Sequence, residues 1–125
     1  MSKALFADLV ARKLQREQDK LAVKEIMVPS MGKTLTFKRP DDASTIALID
    51  GIGDGGDTGK IVEAYRKIIY FTCEALQDPE LHKAMEITDP LDVVRALFDV
   101  ADIMRIGADL SDFMGMSETS ENIKN

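Results

Sequence analysis

The sequence predicts an α+β fold, mostly α, in which several packed helices carry one β-hairpin near residues 22–39. Three observations predict it. Apolar residues recur at helical spacing through several long stretches, most clearly 3–20, 58–77 and 90–106. Lys33-Thr-Leu-Thr-Phe-Lys-Arg39 instead alternates strictly, with Leu35 and Phe37 on one side. Asp78-Pro79 and Asp89-Pro90 supply two helix starts, because Asp accepts hydrogen bonds from free backbone N–H groups and Pro has none to lose.

Taken in order, Leu5, Phe6, Leu9, Val10 and Leu14 give the first helix an apolar stripe wide enough to dock on the core or on another subunit. Arg12, Lys13, Arg16, Lys20 and Lys24 are interleaved with acidic residues and read as a solvated face. Residues 22–28 and 33–39 form the hairpin, with turn chemistry from Pro29 and Gly32. Two strands alone are marginal in water, so the hairpin must pack on the helices or join a sheet from another chain. A short helix opens at Pro40-Asp-Asp and runs through Ile49. Residues 51–59 hold five glycines and read as a flexible loop. A strong helix follows from Thr58 or Lys60 to about Gln77, with Ile61, Val62, Tyr65, Ile68, Ile69, Thr72, Cys73 and Leu76 along it.

The Asp78–Gly107 stretch organises the chain. Its first half predicts a short helix from Pro79 to about Met85, and its second a single long helix from Pro90 to about Ile106. In that long helix Asp92, Arg95, Asp99, Asp102 and Arg105 fall on one stripe with alternating charge, expected to face water. The rest is apolar around most of the circumference, so the helix must be covered on several sides by the chain or by a partner. Leu110, Phe113 and Met114 add one more apolar turn, with Ser111 as its cap. Residues 1–114 read as a single domain and 115–125 as a flexible polar tail.

Composition narrows the function. A net charge of −6 and a pI near 4.7 argue against a nucleic-acid partner, which needs clustered Lys and Arg. One cysteine forms no internal disulfide, and no signal-peptide core or membrane-length apolar run is present, which predicts a soluble protein of a reducing compartment.

Candidate chemistry is sparse. Gly51-Ile-Gly53-Asp-Gly-Gly56 spells G-x-G-x-x-G, yet no later strand completes a dinucleotide unit, and Asp50, Asp54 and Asp57 would repel phosphate. Gly59-Lys60 fails as a phosphate loop, since Ile61 stands where Ser or Thr is required. The same aspartates do not follow calcium-loop spacing. Cys73 reads as a buried small hydrophobe and His82 as a hydrogen-bonding residue at a helix junction; one His and one Cys are too few for zinc. No catalytic residue, cofactor or metal is assigned. The seven methionines suit core filling, or a surface that accepts varied apolar partners.

The layout resembles the XkdN-like family of phage tail assembly chaperones. The resemblance rests on the N-terminal amphipathic helix, Glu25-Ile-Met-Val-Pro29 with Gly32 and the Leu35–Phe37 strand, and Leu76-Gln-Asp-Pro-Glu-Leu81. Asp89-Pro-Leu-Asp-Val-Val94, Leu97-Phe98 and Ile103-Met-Arg-Ile-Gly107 complete it. It spans about residues 3–114.

The resemblance implies a non-enzymatic protein of phage or prophage assembly in the bacterial host cytoplasm, absent from the finished virion. Its implied partners are the tape measure protein, kept soluble, and tail tube subunits, with no nucleic acid and no membrane; a homo-oligomer stays open. Leu5, Leu9, Leu97, Phe98, Ile103 and Met104 are the expected partner-contact residues, against the alternative that they are plain core. A structural adaptor of the tail, using the hairpin for sheet addition, is the competing function. A nucleotide-using enzyme built on the glycine loop is the third.

Overall fold

The computed structural model describes residues 1–115, so all but the first residue of the expected 115–125 tail lies outside the described residues. Among the described residues, six α-helices, one 3-10 turn and one antiparallel hairpin make up the fold, the mostly α arrangement with a hairpin that the periodicities predict. Helix α1 (Lys3–Asp19) starts at Ser2, whose Oγ accepts from Leu5 N at 3.1 Å. Strands β1 (Val23–Val28) and β2 (Lys33–Lys38) pair with Ile26 opposite Leu35. That register turns Ile26, Val28, Leu35 and Phe37 to one face, where Val28 and Phe37 are fully buried against the helices. Gly32, at φ +63°, closes the turn and donates to Val28 O at 2.9 Å.

Helix α2 (Asp42–Ile52) is capped by Asp41, whose Oδ1 accepts from Ser44 N at 2.7 Å. It runs three residues past the expected end at Ile49 and takes Gly51 into the helix. The reason is packing. A Cβ on Gly51 would sit 3.1 Å from the Ala64 Cβ of helix α3 (Thr58–Thr72), so the glycine lets the two helices close up. Only residues 53–57 are left as a connecting loop, and Asp57 caps α3 by accepting from Lys60 N.

Helix α3 is shorter than the periodicity predicts. It stops at Thr72, Cys73 is extended, and Glu74–Gln77 form a separate 3-10 turn. Thr72 Oγ1 donates back to Ile68 O at 2.6 Å, a local bond that competes with continuation of the helix. Helix α4 (Pro79–Ala84) follows, capped by Asp78 as expected.

The single helix expected over 90–106 is two helices. Helix α5 (Asp92–Leu97) ends at Phe98, which is extended (φ −130°, ψ 139°), and α6 (Val100–Phe113) begins afresh. Asp99 and Asp102 form a reciprocal capping box: Asp99 Oδ1 accepts from Asp102 N at 2.8 Å, and Asp102 Oδ2 from Asp99 N at 3.4 Å. The all-round apolarity is thereby resolved. Val93 and Val94 of α5 and Ile103, Ile106 and Leu110 of α6 reach one core from differently directed axes, and Phe98 turns inward between them. The polar residues do not share a water-facing stripe, and Asp102 is buried, accepting from Ser30 Oγ at 3.0 Å. Asp89 caps only a turn, through Leu91 N.

Two further expectations are corrected. The helix runs past the expected end at about Ile106, and Gly107 is the point where α6 presses on α3, since a Cβ there would overlap the ring of Tyr65. Ser111 is buried inside α6 rather than capping a later turn. Beyond α6, Arg39 closes the C-terminal end, with its guanidinium over the Phe113 ring at 5.9 Å and a bond to Phe113 O at 3.4 Å.

Candidate partner-binding surface

Helix α1 stands apart from the fold: none of its residues is buried, and unlike α4, which packs Leu81 on the core, it gives the core no apolar residue. Leu5, Phe6, Leu9, Val10 and Leu14 keep 49%, 60%, 54%, 46% and 54% of their surface exposed, although they lie along one stripe. Most helical stability in a protein comes from packing an apolar face, and α1 packs none. α1 is tied to the body by the Arg16–Asp42 ion pair (Nη2 to Oδ2, 3.3 Å), and both partners are largely exposed. A pair in that setting contributes under about 1 kcal/mol.

A second open surface lies between α2 and α3. Leu48, Ala64 and Ile68 floor a groove of about 870 Å³, with Ala47 and Phe71 on its walls and Asp41, Asp50 and Asp57 on its rim. Its depth has a local cause. Ala43, Ala47 and Gly51 recur every four residues on α2, so one helical face carries almost no side-chain bulk. Sequence reasoning passed over this groove, and that small-residue repeat was the available signal.

The expected contact residues divide between surface and core. Leu5 and Leu9 are exposed on α1. Phe98 and Ile103 are buried core residues, out of reach of any partner while the fold is intact. Leu97 is half-buried against the core and Met104 is half-buried on α6. The six therefore do not form one surface, because the break at Phe98 sends the α5–α6 residues inward.

The remaining polar groups serve the fold. Arg66 is buried on α3 and bonds Glu63, while its Nη1 lies 3.6 Å from Asp92 of α5, tying the two helices together. The bond from Arg66 holds the Glu63 carboxyl below the usual carboxylate range against the opposing effect of burial, with Lys67 and Arg95 adding positive charge. Asp41 is lowered by its capping bonds from Ser44. Burial pushes the Cys73 thiol up, a setting that makes a poor nucleophile. His82 Nε2 lies 2.6 Å from Leu76 O and its ring stacks on Tyr70, the junction role expected of it.

The glycine loop does not assemble a phosphate cradle. Gly51 and Gly59 lie inside helices, and helix α1 and the hairpin are the elements that precede α2, so no strand leads into the loop. Asp54 accepts from Gly56 N within the loop itself. Among the described residues, no helix is long and apolar enough to cross a membrane. No family model, curated protein or solved structure compared with the chain matches it.

Proposed function

We propose that this protein is a non-catalytic assembly chaperone that covers apolar helical segments of a client until the client is built into a larger structure. The observation that carries the reading is the uncovered apolar stripe of α1, held away from the core on a helix whose polar face keeps it in solution. A row of leucine-sized side chains at helical spacing is the complement of another amphipathic helix. The α2–α3 groove adds a second apolar surface on the same molecule.

The resemblance of residues 3–114 to the XkdN-like family supplies the setting. In it the client is the phage tape measure protein, tail tube subunits are recruited next, the site of action is the bacterial cytoplasm, and the chaperone leaves before the virion is complete. The experiment is co-expression with the tape measure protein of the same gene cluster, followed by size exclusion with light scattering. A soluble complex with several copies per client supports the reading. A client that stays insoluble beside this protein sinks it.

The hairpin favours a second reading, a structural adaptor. The two-stranded sheet leaves an outer edge on each strand, and Val23 and Met27 of β1 are more than half exposed. Such an edge can extend a neighbour's sheet. An adaptor would be found in purified particles, whereas the chaperone would be absent from them.

A further inference from the structure

We infer that the α2–α3 groove is the seat for helix α1 of a second copy of this chain, so that the free protein self-associates by helix-in-groove contacts. Shape, charge and tether each favour this seat, whatever the client is.

The shapes agree. At about 1.5 Å per residue, the 17 residues of α1 span about 25 Å and the 15 residues of α3 about 22 Å, so α1 can run the length of the groove. The stripe carries Leu, Phe and Val side chains, and the groove has an apolar floor with the small residues Ala43, Ser44, Ala47 and Gly51 along its α2 wall.

The charges agree as well. Residues 41–57, which form α2 and the loop after it, contain five Asp and no Lys or Arg. Arg12 and Arg16 continue the Leu5–Leu9 row of α1 toward its C-terminal end. The groove lining holds the carboxylates of Asp41, Asp50, Asp57 and Glu63 against Lys60 and Lys67 of α3 and so is net acidic; seated there, Arg12 and Arg16 would meet Asp41 and Asp50 at its α2 rim. The Arg16–Asp42 pair already made within one chain shows that the C-terminal half of α1 and the start of α2 are compatible neighbours.

The tether favours a second copy over the chain's own groove. Leu21 N donates to Gln18 O and Ala22 N to Asp19 O, while Ala22 O accepts from Arg39 N, so the link from α1 to β1 is a short bonded turn. Swinging α1 into its own groove would break the Arg16–Asp42 contact and strain this turn. A neighbouring molecule's α1 leaves this turn unstrained and gives up only its own Arg16–Asp42 contact, which the rim carboxylates of the receiving groove replace. A contact of this kind joins two different patches, so it closes into a ring or a reciprocal exchange, or propagates.

The test uses the full chain and two variants with opposite defects. Leu9→Glu spoils the α1 stripe and leaves the groove intact. Ala47→Lys, at an exposed position on α2, fills the groove wall with a cation and leaves α1 intact. Circular dichroism first establishes that both retain the helical fold. Light scattering across micromolar to millimolar concentration should show self-association of the parent chain and a loss of about tenfold or more in each variant alone. Mixing the variants should restore a heteromeric complex, since one brings a sound helix and the other a sound groove. A parent chain that stays monomeric, whether α1 is free or folded back in cis, overturns the inference. So does a mixture that fails to associate, or variants that associate as the parent does.

Discussion

Gly107 and Glu63 show how single residues set this fold. Helix propensity alone would make Gly107→Ala stabilising by about 1 kcal/mol. Because the added methyl would overlap the ring of Tyr65, the substitution should instead destabilise by about 1–3 kcal/mol, read from the shift in a urea unfolding midpoint. A stabilised variant would mean that α3 and α6 are not in contact there. Glu63 carries a pH dependence. Its pKa in the folded chain lies below the ordinary value of 4.5, so its contribution is complete above that pH and fades as pH falls through the lowered value. Glu63→Gln should therefore lower the Tm near neutrality and flatten its fall below about pH 4.5, and thermal melts across that window would check it.

At the scale of elements, the hairpin, the first helix and the Asp78-Pro79 start were all legible, because each announces itself through local chemistry. Strict alternation marks Leu35 and Phe37, and a capping Asp before Pro marks α4. The break at Phe98 was not legible by periodicity, since Asp92 to Arg105 keeps helical spacing straight across it. The clue was Asp99 and Asp102, three residues apart, which read equally well as one more step of a charged stripe. Asp99→Ala should remove a cap and cost about 1 kcal/mol. Phe98→Ala should empty a core site and cost about 3–5 kcal/mol. If the two helices were one, Asp99→Ala would leave the urea midpoint unmoved or raise it. The division of the six expected contact residues follows from the same break. Leu5 and Leu9 kept their exposure because nothing folds over α1, whereas Phe98 and Ile103 went inward with the turn between α5 and α6.

Among the described residues, five helices and a hairpin form a body with a sixth helix displayed outside it. The groove between α2 and α3 could not be read in advance, because it depends on how two helices meet at Gly51 and Ala64 rather than on either helix alone. Its small-residue repeat was visible, but nothing in the sequence said which neighbour it would face. The central claim concerns α1: its apolar stripe is a working surface and contributes little to the stability of the body. The direct measurement is a Leu5→Glu/Leu9→Glu double variant, melted alone and then co-expressed with the proposed client, the tape measure protein. The Tm should stay within a few degrees of the parent, while the client passes from the supernatant to the pellet. A large drop in Tm would place the stripe in the core, and a client still held in solution would place its binding surface elsewhere.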